Sequence, residues 1–139
     1  MVVNRLIGAY LGLVALVVGI QFVAFPLYGY DSGGERSSGA LGVWQVLDWF
    51  MAIGLALMLV TTTRRKRRHE GEDSTNMRPW LSARVMFYGT ILLTLAFLPN
   101  WFEAAWGHND NWTIWHLIDT VLPVMFAVEG HRLWYAASS

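Results

Sequence analysis

The chain contains no cysteine, which excludes disulfides, thiolate metal sites and a cysteine nucleophile and leaves the redox compartment undetermined. Charge is scarce as well. Only 14% of residues are charged against 55% hydrophobic, a balance unlike that of a soluble domain of 139 residues. The formal net charge is zero, so the total gives no electrostatic reason for a nucleic-acid partner. A phosphate-binding glycine loop is also missing. Gly29 to Ala40 is rich in Gly, Ser and charge without that pattern, and is expected to be a solvated, mobile loop.

What the chain does have is four long apolar blocks, at about 6–28, 41–62, 82–98 and 113–136. At about 1.5 Å of rise per helical residue such blocks suit a hydrocarbon core of about 30 Å. They predict an all-α protein: an integral membrane four-helix bundle forming one membrane domain over residues 1–139. The first block follows Arg5 and exceeds a signal-peptide h-region, with no small-x-small cleavage site after it, so it is expected to be a retained membrane helix. Pro26 closes that block, Pro99-Asn100 ends the third, and Pro123 is expected to kink the fourth. Gly8, Gly12, Ala15 and Gly19 recur at helical spacing and offer a face for close helix packing.

The charges orient these helices. Arg64-Arg65-Lys66-Arg67-Arg68 follows the second block directly, which by the positive-inside rule predicts a basic cytoplasmic loop at about 63–81. The outer loops then fall at about 29–40 and 99–112, both N and C termini are cytoplasmic, and the protein is a multi-pass protein of the cell membrane. Glu70, Glu72 and Asp73 offset the basic run, which argues further against nucleic acid. Trp44, Trp49, Trp101, Trp106, Trp112 and Trp115 fall at the outer boundary and Trp80 and Trp134 at the inner one, as two interfacial belts. An aromatic cage for an organic cation is the lesser reading of the same residues.

Two stretches carry the chemistry: Trp44-Gln45-Val46-Leu47-Asp48 and, 71 residues later, Trp115-His116-Leu117-Ile118-Asp119. Each places a carboxylate inside an apolar block, where it is costly unless paired, neutralised or reached by water. The same offset brings Val43 onto Ile114 and Leu47 onto Ile118, and one residue more brings Ala24-Phe25 onto Ala96-Phe97. This pattern suggests two tandem helical hairpins of one orientation, related by an axis along the membrane normal. The two aspartates would then face each other about 10 Å below the outer helix ends. Gln45 would stand one turn above Asp48, and His116 one turn above Asp119.

Gln45, Asp48, His116 and Asp119 are therefore the candidate polar intramembrane site. With His108 in the loop overhead, His116, Asp119 and Asp48 are candidate metal ligands, imidazole plus carboxylate being a set that suits several transition metals. Proton transfer by the two coupled acids is the other chemistry such a site offers. A haem held by two histidines of one chain is disfavoured, because His116 and His131 sit about 22 Å apart along one helix. No cofactor can be named. The plain alternative is structural: Gln21, Gln45, Asp48, His116 and Asp119 hydrogen-bond across helices and fix their register. Glu129 and Arg132, three apart, are read as a local ion pair with His131 at the surface.

With no catalytic motif to anchor an activity, the sequence leaves open whether the protein is an enzyme. It points first to a non-catalytic accessory or assembly subunit packing against a larger membrane complex, its partners being the lipid bilayer and other membrane protein subunits. The alternative is a small membrane enzyme or transporter using the outer-leaflet Asp/His site for metal binding or proton transfer.

Overall fold

A computed structural model describes residues 1–70 and 77–137. The described chain is helical: α1 (Val2–Tyr28), α2 (Ser38–His69), α3 (Met77–Phe102), a π-helical turn (Glu103–Gly107) and α4 (Trp112–Ala136). Successive helices run in opposite directions around a four-membered ring, each packed on its two neighbours, with α1 against α4 and α2 against α3 as the closest pairs. Three segments are long and apolar enough to cross a membrane: Val2–Tyr28, Ser38–His69 and Met77–Gly107. At 25 residues α4 is long enough too, but His116, Asp119, Glu129, His131 and Arg132 dilute its apolar run.

The helices outrun the apolar blocks. Residues 63–69, expected in a cytoplasmic loop, continue α2, and Met77–Leu81 already belong to α3. Arg and Lys are good helix formers whose positive charge favours a helix C-terminus, so a polar composition does not end the helix. Lys66 pairs with Glu70 one turn on at 3.6 Å and lies 4.6 Å from the Phe87 ring centroid, while Arg65 donates to Ser82 Oγ at 3.1 Å. The contacts to Phe87 and Ser82 fasten the basic end of α2 to α3. At the opposite end Pro99 lies within α3 rather than at its end. Acidic residues at 72 and 73, read as offsetting the basic run, lie outside the described residues.

Close packing of α1 on α4 rests on two glycines. A Cβ on Gly8 would stand 2.8 Å from the Gly130 carbonyl oxygen, and one on Gly130 would stand 2.8 Å from the Gly8 oxygen. Gly12 and Gly19, from the same small-residue pattern, have open space where a Cβ would go. Only part of that pattern is therefore spent on packing inside the bundle.

Buried positions recur at fixed offsets along the chain. Leu47, Asp48, Met51, Leu55 and Met58 of α2 are buried, and so, 71 residues on, are Ile118, Asp119, Leu122, Phe126 and Glu129 of α4. Leu11, Val14, Val18, Gln21 and Phe25 of α1 match Ala83, Met86, Thr90, Leu93 and Phe97 of α3 at an offset of 72. Ring contacts repeat as well: Phe25 packs on Trp44 at 6.2 Å between centroids, and Phe97 on Trp115 at 5.9 Å. The outer surface is apolar along α1, where Leu13, Leu16, Ile20 and Val23 are all exposed. Inside, buried Thr62 and Thr90 donate to carbonyls one turn back in their own helices, which satisfies their hydroxyls without a partner helix.

Candidate functional site

At the Trp-rich end, opposite the basic end, the four helices surround a chamber of about 740 Å³. Each element contributes to its wall: Phe22, Phe25 and Pro26 from α1, Trp44, Gln45, Asp48 and Trp49 from α2, Trp101 from α3, and Trp112, Trp115, His116 and Asp119 from α4. The π-helical turn adds Ala104, Ala105 and Trp106, and the connections add Tyr30, Arg36 and Asp110.

Local structure explains how these groups are presented. The segment after α1 is not an open coil but a hydrogen-bonded turn. Asp31 Oδ1 accepts from the backbone of Gly33 (2.9 Å) and Glu35 (3.0 Å), Gly34 takes φ +78°, and Tyr30 and Arg36 form an isolated antiparallel bridge. Left-handed φ suits Gly at that position. Ser37 then caps α2, its Oγ accepting from Ala40 N at 3.2 Å. The turn delivers the Arg36 guanidinium to 3.5 Å from the Trp112 ring centroid, across the chamber rim.

On the other side, the α3–α4 connection closes on an asparagine pair. Asn111 N donates to Asn100 Oδ1 (2.6 Å) and Asn100 Nδ2 donates to Asn111 O (3.1 Å), while Asn111 Oδ1 caps α4 through Ile114 N (3.2 Å). Asp110 Oδ2 accepts from the Trp115 indole N–H at 2.9 Å, which orients both side chains at the wall.

All four candidate residues line this one chamber, at two depths. Asp48 and Asp119 are buried, 6% and 7% exposed. Asp119 Oδ1 has no hydrogen-bond partner among the described residues. Gln45 and His116 are exposed. The imidazole Nδ1 of His116 lies 2.8 Å from Trp112 O, and its ring packs edge-on against Phe22 and Trp112.

Among the described residues no three His, Asp or Glu groups come together as metal ligands. His108, proposed to overhang the site, is exposed, adopts φ 83° at the end of the π-turn and does not line the chamber. Gln21, proposed as part of a structural network with the acids, accepts instead from the Tyr28 hydroxyl. The six tryptophans assigned to the outer boundary all line the chamber, with Trp101 and Trp115 buried and Trp49 and Trp106 also facing outward.

Arg36, Tyr30 and Phe22 escape the sequence reading. Their positions carry no motif, and their place at the chamber depends on the turn after α1 and on the rotation of α1 against α4. Far from the chamber, Glu129 is fully buried. It accepts from Arg132 Nε (2.9 Å) and Nη2 (2.5 Å) and from Thr61 Oγ1 of α2 (2.9 Å), so the local ion pair read from the sequence also ties two helices together.

No known protein family, curated protein or solved structure matches the chain.

Proposed function

We propose that this is a multi-pass membrane protein with four crossings and both termini on the cytoplasmic side of a cell membrane, whose outer-half chamber binds a small molecule and uses Asp48 and Asp119 as its polar anchors. The observation that carries this reading is the convergence of Gln45, Asp48, His116 and Asp119 on one aromatic-walled chamber. A chamber of this volume is in the range of small-molecule sites, which combine apolar walls with a few placed polar groups. The apolar exterior and the basic end opposite the chamber support the membrane placement. In that setting the acid pair is the natural point for holding or relaying a proton as the ligand enters or reacts.

Purification in mild detergent followed by organic extraction and mass spectrometry tests the reading. A small molecule should accompany the wild-type protein at near-unit stoichiometry and be lost from Asp48→Asn and Asp119→Asn while the fold is retained. If those variants differ from wild type only in thermal stability, the acids are structural.

A second reading is an accessory or assembly subunit of a larger membrane complex. It is favoured by a shallow apolar groove on α2 formed by Gly39, Gly42, Val43, Val46 and Leu47, where nothing stands within 4 Å of a Cβ built on either glycine. Small residues let another helix approach closely. The same purification separates the readings: a co-purifying membrane protein in fixed ratio supports the subunit, and a solitary protein sinks it.

A further inference from the structure

The chamber is unbalanced in charge. Three carboxylates line it, from Asp48, Asp110 and Asp119, against one cation, Arg36. That cation is engaged at the rim, its guanidinium 3.5 Å from the Trp112 centroid, and Asp110 is engaged by the Trp115 indole. The unmet demand lies deeper. Asp119 is 7% exposed and lines the chamber with Asp48, and its Oδ1 has no hydrogen-bond donor among the described residues. A buried acceptor left unpaired is destabilising, so the group that fits there brings an N–H or O–H. Around it stand aromatic rings, whose faces attract cations and whose bodies accept apolar surface.

Resting on the small-molecule reading above, we infer that the chamber recognises a lipophilic protonated amine. The ammonium pairs with the Asp119 carboxylate and is shared electrostatically with Asp48, while an apolar tail packs among the tryptophans. A neutral ligand of the same shape leaves the acids without a counter-charge, and an anion is opposed by them. A quaternary ammonium satisfies the charge but offers no N–H to Asp119. A divalent metal would lack a third protein ligand among the described residues.

The test uses the full chain in phosphatidylcholine nanodiscs and three probes of one carbon skeleton: 4-phenylbutylammonium, 4-phenylbutan-1-ol and 4-phenylbutanoate. Isothermal titration is corrected with empty nanodiscs, and tryptophan emission reports chamber occupancy, since six of the eight tryptophans line it. The amine should bind at least tenfold tighter than the alcohol, and the butanoate weakest. Asp119→Asn should remove that advantage. Because the amine-to-alcohol ratio is read on the wild-type protein, a poorly folding variant does not spoil the test.

Equal binding of amine and alcohol would overturn the inference and leave the chamber reading standing. Tighter binding of the butanoate would overturn it in favour of Arg36 as the anchor. Failure of all three probes would also overturn it, and only a negative co-purification result would remove the chamber reading as well.

Discussion

A carboxylate inside a helical bundle is tolerated only on terms its neighbours set, and three acids here meet two sets of terms. Glu129, with no exposed surface, is held by two Arg132 bonds and by Thr61. Asp48 and Asp119 are nearly as buried and face a chamber instead. The first arrangement is closed and structural. Replacing Arg132 with Met would strip Glu129 of its counter-charge and is expected to lower stability by about 2–3 kcal/mol. That is below the usual figure for a buried pair because the Arg132 side chain is 29% exposed. Thermal unfolding in detergent measures this, and Glu129→Gln added to Arg132→Met should recover much of the loss by removing the stranded charge. An unchanged melting temperature in the single variant would mean that the pair does not hold α4 to α2.

At the scale of elements, two glycines set the distance between α1 and α4. Because the atom that a Gly130 Cβ would strike is a backbone oxygen at 2.8 Å, the helices themselves must separate to admit it. Gly130→Ala is expected to cost about 1–3 kcal/mol, the range for overpacking. Gly12→Ala, on the same interface but aimed at open space, should be neutral or mildly stabilising through helix propensity. Comparing the two melting temperatures separates packing from propensity, and equal shifts would refute the close approach.

How far such features can be read from sequence depends on their range. The buried rows are legible because burial follows helical periodicity, and the row that holds Asp48 on α2 has a buried counterpart 71 residues on, at Asp119 of α4. The end of α2 is not legible, since a drop in hydropathy at Thr63 marks where apolar surroundings would end rather than where helical hydrogen bonds do. The chamber is illegible for a third reason. It is made by the rotation of four helices about their axes and by a turn that carries Arg36 to Trp112. The tryptophans can be placed at one end of the bundle from sequence, but their shared inward wall cannot.

On the scale of the whole molecule, the chamber and the basic segment mark opposite ends of one bundle, and this polarity is what gives the proposed site a side of the membrane. The absence of cysteine makes that polarity directly measurable. Ser32, in the turn beside the chamber, and Arg68, at the basic end of α2, are both exposed. A thiol placed at either position is therefore the sole target for a membrane-impermeant maleimide. If the basic end is cytoplasmic, Ser32→Cys should react in intact cells and Arg68→Cys only after permeabilisation. The reverse pattern would invert the protein and turn the chamber toward the cytoplasm, so that its ligand would have to come from within. Reaction of both in intact cells would mean that α2 does not cross, and the lipid-facing role of the apolar exterior would fall with it.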